Sequence, residues 1–364
     1  MRRALRARLT TYKDHMTSRN FGINGFGRIG RTTFRVWWLH HRDSLDLKVI
    51  NTSGSMEIED WAHLIKYDTN YGVFSEKITA VRTQDAKSAT DENPVLGTLT
   101  IGDRVITVTA QRDPAKMPWG AHGVETVIES TGVFVSKEKA SLHLQGGAKN
   151  VLISAPAKGD DVESSVIGVK DLNLTDGSIN SNESCTTNCV APVAAIMHST
   201  FGVKQAMLTT IHSYTDDQNT QDNSHSDLRR ARTAAANIIP TSTGAAKATT
   251  RVIPELKGLF DGLAVRVPTT TGSLSDMVFV VEKPTTIEEV NATFIAASQQ
   301  DRWKGILAVT NDPIVSSDIV GRSESSIVDL SLTNVVGGTM VKVISWYDNE
   351  WGYCNRLVEQ LLPR

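Results

Sequence analysis

The stretch GFGRIG constrains the fold of this chain more than any other feature of its sequence. Its glycines, Gly25, Gly27 and Gly30, follow a short apolar run, NFGIN, and precede RTTFRVWWLHH, in which apolar side chains recur at helical spacing. The next apolar run, LDLKVIN, indicates a second strand. A strand, a glycine-rich turn, a helix and a strand within about thirty residues predict the opening βαβ unit of a dinucleotide-binding fold, with a pyrophosphate at the helix N-terminus.

The residues after the second strand bear on the choice of dinucleotide. Such folds usually carry a carboxylate about twenty residues after the glycines, where it binds the ribose 2′-hydroxyl. Here the strand is followed by NTSGS, which has no acid, and Asp43 and Asp46 precede the strand as loop charges. A carboxylate would repel a 2′-phosphate, whereas the hydroxyls of Thr52 and Ser53 can donate hydrogen bonds to one. The sequence therefore favours NADP, or the use of both NAD and NADP.

The composition excludes several classes of protein. Of 364 residues 40% are apolar and 21% charged, which suits two globular domains with their own cores. A net charge of -2 provides no overall field for nucleic acid or a membrane surface. No apolar run approaches the roughly 20 residues that span a bilayer. Three cysteines suit a reducing compartment. We expect a soluble, cytoplasmic protein without nucleic-acid or membrane partners.

The segment 1–18 differs from the rest of the chain. Its basic residues precede the first acid, Asp14: Arg2, Arg3, Arg6, Arg8 and Lys13. Arginine-rich, acid-poor leaders occur as organelle transit peptides, but this one is short and poor in serine. A disordered tail, or an upstream start ahead of Met16, is the favoured interpretation. No apolar run follows that would indicate a secretory signal.

Two of the three cysteines lie four residues apart, in SNESCTTNC. If SCTTNCVAPVAAIMH is a helix beginning near Ser184, Cys185 lies in its first turn, where free N–H groups and the helix dipole favour a thiolate. Cys189 lies one turn further, among apolar residues. No further ligands have zinc-site spacing, and cysteines at i and i+4 of a helix make a poor disulfide. We predict that Cys185 is a nucleophile, that Cys189 is a core residue and that no metal binds.

A nucleophilic thiol needs a base, and the stretch TTIHSYTDDQ offers one. His212 lies near the end of a predicted strand in this stretch, followed by hydroxyls and acids. Imidazole is the usual proton acceptor for a catalytic thiol. Because a single histidine is more often structural, the residues alone make His212 a candidate and no more.

The patterns of predicted strands and helices divide the chain into two domains. Short apolar strands such as VETVIEST and NVLISAP, separated by helices, indicate a parallel α/β arrangement up to about Ser181. Longer alternating runs, such as QAMLTTIHSYT and TMVKVISWYDNEWGY, indicate a mixed or antiparallel sheet. We predict a Rossmann-type doubly wound parallel sheet in a dinucleotide-binding domain over 19–184 and an α+β catalytic domain over 185–348. A C-terminal helix, 349–364, returns to the first domain.

Six stretches resemble, in order, the phosphorylating glyceraldehyde-3-phosphate dehydrogenase family: GINGFGRIGR, SCTTNC, HSYTDDQ, DLRRARTAAANIIPTSTGAAKA, RVPT and WYDNEWGY. The resemblance extends from about Asn20 to the end of the chain. It implies an NAD(P)-dependent oxidoreductase of glycolysis or gluconeogenesis that converts glyceraldehyde 3-phosphate and inorganic phosphate, reversibly, to 1,3-bisphosphoglycerate. It also implies a homotetramer.

The resemblance assigns a role to each matching residue. Cys185 attacks the aldehyde to give a thiohemiacetal, and His212 pairs with the thiolate and takes the hydroxyl proton as hydride leaves for nicotinamide; phosphate then cleaves the thioester. The implied site for the substrate's phosphate comprises Thr215, Asp217 and Arg266. The implied site for the attacking phosphate comprises Ser184, Thr186, Arg230, Thr243 and Gly244. The implied cofactor residues are Gly25, Gly27, Arg28, Ile29, Gly30, Thr52, Arg112, Thr131, Ser154, Ser224 and Asn349.

Several positions depart from the family pattern. Glu183 stands where alanine is common, and we expect its side chain to face solvent. Thr52 replaces the usual aspartate. Asn223 and Ser224 stand where strictly NAD-using members tend to carry Leu-Pro, and the serine resembles photosynthetic, NADP-using members in which this loop reaches a neighbouring subunit's cofactor. These replacements favour NADP and the reductive direction.

Two alternatives remain open on the sequence. An erythrose-4-phosphate dehydrogenase on the same scaffold would release a free acid, so its turnover would not depend on inorganic phosphate. The second alternative is a non-catalytic thiol protein that binds RNA through the Arg-rich segment. Against it, RNA-binding folds usually show aromatic stacking motifs. Replacement of Cys185 would leave such a protein unchanged.

Overall fold

The computed structural model describes residues 19–172 and 174–362. The predicted Arg-rich leader, 1–18, lies outside the described residues. Within them the chain forms two large sheets, a two-stranded hairpin and the helices that cover the sheets. The first sheet and the hairpin contain eleven strands: β1 (Arg19–Asn24), β2 (Leu45–Thr52), β3 (Tyr67–Asp68), β4 (Gly72–Val73), β5 (Ile78–Arg82), β6 (Val95–Ile101), β7 (Arg104–Ala110), β8 (Thr126–Glu129), β9 (Asn150–Ile153), β10 (Glu163–Ser164) and β11 (Ile179–Ser181).

The first sheet has the order β10-β11-β9-β8-β1-β2-β7-β6-β5. All neighbouring pairs from β10 through to β7 are parallel, which confirms the predicted Rossmann-type sheet. The edge formed by β7, β6 and β5 is antiparallel, contrary to the expectation of a wholly parallel sheet. The reason is local: only Gly102 and Asp103 join β6 to β7, and so short a connection can form a hairpin but no crossover.

Helices cover both sheets. They are α1 (Arg28–Val36), α2 (Ile58–Lys66), α3 (Lys137–Ala140), α4 (Leu142–Gln145), α5 (Cys185–Phe201), α6 (Ala245–Val252), α7 (Ile287–Ser298) and α8 (Trp351–Glu359). The C-terminal helix α8 packs on the first sheet's core, where Leu357 and Val358 are buried in one cluster with Phe34 and Trp37. Burial of these large apolar groups fixes the start of α8 beside α1. The residues that precede α8 are thereby brought to the glycine-rich turn.

The second sheet contains eight strands: β12 (Val203–Ser213), β13 (Ile239–Ser242), β14 (Phe260–Val267), β15 (Ser273–Val281), β16 (Leu307–Thr310), β17 (Ser326–Asp329), β18 (Asn334–Val336) and β19 (Met340–Tyr347). Both parallel and antiparallel pairs occur, so the prediction of a mixed sheet is confirmed. Helix α5 lies on this sheet, and its Val190, Val193 and Met197 share a buried cluster with Met277 and Phe279 of β15. This packing fixes the N-terminus of α5 relative to the strand ends.

Candidate active site

Cys185 is the first residue of α5 and lies opposite the end of β12. Ser184 caps the helix, since its Oγ accepts the N–H of Thr187 at 3.0 Å. The Sγ of Cys185 lies 3.4 Å from Nε2 of His212, the penultimate residue of β12. The packing of α5 on the second sheet therefore places the predicted nucleophile and the predicted base in contact.

The orientation of the His212 ring follows from its other nitrogen. Nδ1 lies 2.6 Å from the carbonyl oxygen of Ser213, and because a carbonyl can only accept, this contact assigns a proton to Nδ1. Nε2 then presents its lone pair to the thiol. The Nη1 of Arg266 donates to the same Ser213 oxygen at 3.0 Å, and it also lies 2.9 Å from Nδ1, to which it can donate only in the other tautomer. The shorter contact, to the carbonyl, favours the tautomer in which Nε2 can accept a proton from Sγ.

Burial and one arginine set the electrostatics of this pair. Burial raises the pKa of the Cys185 thiol, and the charge of Arg266 opposes that rise. Burial, assisted by Arg266, lowers the pKa of His212 to about 3. Burial thus penalises a charge on either group alone, whereas a proton that moves from Sγ to Nε2 creates two opposite charges in contact. Arg266 favours the anionic state of the sulfur throughout.

The other two cysteines are core residues. Cys189 is fully buried, and burial raises the pKa of its thiol to about 11. Cys354 is also fully buried, its pKa is raised by burial, and its Sγ faces the carbonyl oxygen of Ile29 at 3.6 Å. All three thiols are free. The core position predicted for Cys189 is confirmed, and Cys185 is the thiol that the structure presents to a base.

The residues expected to bind the two phosphates are partly joined to one another. Arg266 lies beside His212, while Thr215 and Asp217 follow β12. Asp217 Oδ2 accepts a hydrogen bond from Arg230 Nη1 at 2.6 Å, so an ion pair links a residue of each expected anion site. The Arg230 guanidinium also donates to Ser242 O at 3.2 Å. An arriving anion would therefore compete with the Asp217 carboxylate for Arg230.

The hydroxyls of the attacking-phosphate set are mostly engaged within the protein. Thr186 is buried, and its Oγ1 lies 2.9 Å from Tyr347 Oη, so this side chain faces the core and not the expected anion site. Thr243 Oγ1 accepts the N–H of Ala245 at 3.2 Å, just after Gly244 at the start of α6. Four residues of this set have side chains, and Arg230 is the charged one among them, with its guanidinium near the surface. Ser184 is engaged as the cap of α5.

A groove of about 550 Å³ runs over the carboxyl ends of the central strands of the first sheet. Gly25 and Gly27 line one wall, and Thr52, Arg112 and Thr131 line the others. Gly25 has φ +93, and a Cβ there would lie 2.7 Å from the backbone nitrogen of Thr131. The turn therefore requires glycine, as a close approach between backbone and pyrophosphate demands. The groove fits a dinucleotide whose pyrophosphate lies at the N-terminus of α1.

Gly30, in the first turn of α1, packs directly against the backbone of the same glycine-rich turn. A Cβ at this position would lie 2.2 Å from the carbonyl oxygen of Gly25, so only glycine allows α1 to start there. Arg28, the first residue of α1, directs its guanidinium away from the turn to Asp68 at 2.6 Å and Glu350 at 2.5 Å. The expected contribution of Arg28 and Ile29 to the cofactor site is thus confined to their backbone at the helix start.

Asn349 and Ser154 are the residues expected to meet the nicotinamide carboxamide. The Oδ1 of Asn349 accepts from Gly272 N–H at 3.1 Å and from Ser273 Oγ at 2.9 Å. These donors fix the amide so that its Nδ2 remains to donate to a ligand carbonyl. Ser154 follows β9, and its N–H donates to Glu129 O at 2.9 Å. The Ser154 N–H is therefore engaged within the sheet, and the Nδ2 of Asn349 is the donor that suits the carboxamide of a nicotinamide ring.

Two expectations near the site need correction or qualification, because the side chains concerned are buried. Glu183 does not face solvent: it is fully buried at φ +54, accepts a hydrogen bond from Ser164 and lies 3.5 Å from Arg251 Nη1. Thr52 is buried, and its hydroxyl donates to Thr109 O at 3.0 Å, so its proton is already used. Burial in each case results from long-range packing that the local sequence does not encode.

Ser224 lies in an exposed loop and does not line the groove of its own chain. The backbone N–H of Ser224 donates to Asn223 Oδ1 at 2.8 Å and is therefore not available to a ligand. The loop is tied to the body of the domain by Asn219, whose Nδ2 donates to Asn223 O at 2.9 Å. An exposed Ser224 is compatible with a contact to another subunit and with none to its own cofactor site.

Tyr347 was missed by the sequence reasoning. Its Oη lies 2.9 Å from Thr186 Oγ1 and 2.8 Å from Thr210 Oγ1, and its ring packs edge-on against His212. It therefore joins the helix that carries Cys185 to the strand that carries His212. The strand alternation in TMVKVISWY gave a signal, because Tyr347 lies on the same face as the buried Val341 and Val343.

Two observations on the described part of the chain bear on other functional classes. No helix there combines the length and the apolar character needed to cross a bilayer. No group of three or more histidine, cysteine or acidic side chains in 19–172 and 174–362 has the proximity of a metal site. The thiol–imidazole pair and the groove over the first sheet are the features from which a function can be argued.

Comparisons with known proteins agree with this geometry. Residues 19–137 match the model of the glyceraldehyde 3-phosphate dehydrogenase NAD binding domain, and residues 184–349 match that of the C-terminal domain of the same enzyme. The chain is 48% identical over 340 residues to glyceraldehyde-3-phosphate dehydrogenase of Streptomyces coelicolor, covering 93% of this chain and 96% of that protein. It is 47% identical to the enzyme of Zymomonas mobilis over 338 residues, with coverage of 93% and 96%. It is 46% identical to the chloroplastic glyceraldehyde-3-phosphate dehydrogenase B of Pisum sativum over 340 residues, covering 93% of this chain and 72% of that protein.

Removal of the Arg266 charge tests the electrostatics of the thiol. Because the charge of Arg266 lowers the pKa of Cys185, we expect Arg266→Gln to move the pH profile of thiol alkylation by iodoacetamide toward higher pH. At neutral pH the variant reacts more slowly than the parent. The exposed Arg232, paired with Asp222, provides the control: Arg232→Gln leaves the profile in place. An unchanged or acid-shifted profile in Arg266→Gln would contradict the assigned role.

The buried Glu183 generates a prediction for stability. Burial raises its pKa, so folding favours the protonated form, and above that raised pKa the charged form lowers the free energy of unfolding. We expect Glu183→Gln to unfold at a temperature about 2–4 °C higher than the parent at pH 7.5. The gain shrinks as the pH falls toward 4, where the parent carboxyl is protonated in both states. Thermal unfolding followed by circular dichroism, with the exposed Glu92→Gln as control, measures it; a destabilised variant at pH 7.5 refutes the argument.

Proposed function

The chain belongs to the glyceraldehyde-3-phosphate dehydrogenase family, and from this premise we propose which of its residues perform each step. Its reaction is the reversible, NAD(P)-dependent oxidation and phosphorylation of glyceraldehyde 3-phosphate to 1,3-bisphosphoglycerate. The observation that carries the assignment of residues is the 3.4 Å contact between Cys185 Sγ and His212 Nε2 at the N-terminus of α5. The groove lined by Gly25 and Gly27 is the proposed cofactor site.

In the first step Cys185 attacks the aldehyde carbon. The thiol proton passes to Nε2 of His212, whose lone pair faces Sγ because Nδ1 is bound to Ser213 O at 2.6 Å. His212 returns this proton to the carbonyl oxygen, and a thiohemiacetal with a neutral imidazole remains. The N-terminus of α5 stabilises negative charge on sulfur and oxygen during the attack, since its free N–H groups point to that position.

In the second step His212 removes the hydroxyl proton of the thiohemiacetal. The low pKa of this imidazole, about 3, means that it is neutral and carries a lone pair before the transfer, although burial disfavours its protonated form. A bound nicotinamide would supply the hydride acceptor, and Asn349 and Ser154 would orient its carboxamide. The product on the protein is a thioester on Cys185, which keeps the oxidation energy available for the transfer to phosphate.

The third step is cleavage of the thioester by inorganic phosphate. We assign the attacking phosphate to Arg230, Thr243 and Gly244, and the substrate's own phosphate to Arg266 and Thr215. A guanidinium with neighbouring hydroxyl or backbone donors is the usual partner of phosphate. The Arg230–Asp217 ion pair supports this arrangement, because it holds Arg230 in place until the anion arrives. Cys185 leaves as a thiolate and recovers the proton from His212.

For the cofactor we propose NADP in preference to NAD. NTSGS at the end of β2 carries no acid that would repel a 2′-phosphate, and Ser53 within it is exposed. The hydroxyl proton of Thr52 is bound by Thr109 O. Thr52 therefore contributes only as an uncharged residue in place of the usual aspartate. Ser224 contributes to the proposed cofactor site only in a homotetramer, where the exposed loop of one subunit reaches the cofactor of another. The preference favours the reductive direction.

We further propose the division into domains given by the sequence. The dinucleotide-binding domain comprises 19–184, the catalytic domain 185–348, and the C-terminal segment 349–364 returns to the first. The burial of α8 against the cluster of Phe34 and Trp37 supports this division. So does the position of Cys185 at the first residue after the first domain.

Two cysteine variants test the proposed function. We expect Cys185→Ser to lower kcat for glyceraldehyde 3-phosphate oxidation at least about a thousandfold, because the hydroxyl is a far weaker nucleophile than the thiolate. Cys189→Ala, one turn away in the core, stays within a few-fold of the parent. Turnover by the parent requires added inorganic phosphate. Full activity of Cys185→Ser would contradict the assignment of the nucleophile, and phosphate-independent turnover would favour release of a free acid, as in an erythrose-4-phosphate dehydrogenase.

A steady-state comparison tests the cofactor. We expect kcat/KM for NADPH to exceed that for NADH in the reduction of 1,3-bisphosphoglycerate by the purified protein, because no acid in NTSGS repels the extra phosphate. The measurement follows absorbance of the reduced nicotinamide with both cofactors at the same ionic strength. A strong preference for NADH would contradict the proposed use of NADP and leave the assignments of Cys185 and His212 intact.

A further inference from the structure

A second cavity, of about 290 Å³, adjoins the cofactor groove beyond the end of β2. The two share Ser53, Gln111 and Arg112 in their linings, so they meet at the strand end where a ribose 2′ substituent is expected. The far wall of the cavity is the segment 86–91, which joins the antiparallel edge strands β5 and β6. None of the catalytic steps uses this cavity.

The far wall is anchored to the first sheet. Ala86 is buried, and its N–H donates to Glu57 Oε2 at 2.9 Å, which ties the segment to the start of α2. At the other end Gln111 Nε2 donates to Asp91 O at 3.4 Å, and so reaches across from the strand side. The cavity therefore has two walls of fixed separation, as a binding site for a small group requires.

The cavity has an excess of uncompensated positive charge. Lys87 and Arg112 line it, and neither has a carboxylate within 4.0 Å in the described part of the chain. The acid in the lining, Asp91, is paired with Lys116 outside it. The neighbouring Arg82, by contrast, is paired with Asp85 at 2.9 Å. Two unpaired cations on opposite walls of a small cavity favour an anion between them.

We propose that this cavity binds the 2′-phosphate of NADP and that Lys87 determines the choice of cofactor. The phosphate lies between Lys87 on the far wall and Arg112 on the strand side, and the exposed hydroxyl of Ser53, which otherwise donates to Ser55 Oγ at 3.0 Å, turns to donate to it. NAD, which carries a hydroxyl there, leaves both cations without a partner. The inference rests on the proposed use of NADP, and it adds to that proposal a residue on a segment that the sequence reasoning did not single out.

The first test is a kinetic comparison of Lys87→Gln with two controls. We expect KM for NADPH to rise about five- to tenfold in Lys87→Gln, which is the loss of one charge-assisted contact, while the constants for NADH change less than twofold. Lys87→Arg keeps the charge and stays near the parent. Lys257→Gln removes an exposed lysine far from the groove and matches the parent with both cofactors.

The second test uses probes without a nicotinamide. Calorimetric titration should show 2′,5′-ADP binding more tightly than 5′-AMP to the parent, with most of this difference lost in Lys87→Gln and retained in Lys257→Gln. If the parent prefers NADPH but Lys87→Gln behaves as Lys257→Gln, the cavity assignment falls and the proposed cofactor stands. If the parent prefers NADH yet discriminates the probes through Lys87, the cavity assignment stands and the proposed cofactor falls. Equal binding of both probes to the parent overturns the cavity assignment.

Discussion

The contact between Cys185 Sγ and His212 Nε2 depends on the packing of one helix on one sheet. Helix α5 is buried against β15, and its first residue meets the end of β12 only because Val193 and Met197 are fixed in the core below. Tyr347 adds a polar link between the same two elements, with Thr186 on one side and Thr210 on the other. A shift of the helix by one ångström would open the thiol–imidazole contact, and the proton path would be lost.

The electrostatics of the site follow from burial combined with a single guanidinium. Burial alone would keep both the thiol and the imidazole neutral, as the raised pKa of Cys185 and the lowered pKa of His212 indicate. Arg266 lowers both pKa values, so it favours the thiolate at Cys185 and the neutral imidazole over the protonated one at His212. The same residue faces the proposed site for the substrate's phosphate. Binding of that dianion would therefore weaken the effect of Arg266 on the pair, which couples substrate binding to the proton transfer.

Much of this arrangement could be predicted from local sequence. The glycine spacing predicted the turn because backbone sterics at Gly25 and Gly30 allow no side chain, and the cap at Ser184 predicted where α5 begins. The features that escaped prediction depend on distant residues. Glu183 is buried because Arg251 and Ser164 lie beside it, and Thr52 turns inward because β7 offers a carbonyl. The groups that surround Glu183 and Thr52 can be identified only from the fold.

The most direct test of the account is to trap the thioester on Cys185. The purified protein would be incubated with glyceraldehyde 3-phosphate and oxidised cofactor in the absence of inorganic phosphate, then digested and analysed by mass spectrometry. We predict an acyl adduct on the peptide that contains Cys185, absent in Cys185→Ser, much reduced in His212→Asn, and removed by added phosphate. An adduct on a different residue, or rapid oxidation without any adduct, would contradict the central claim.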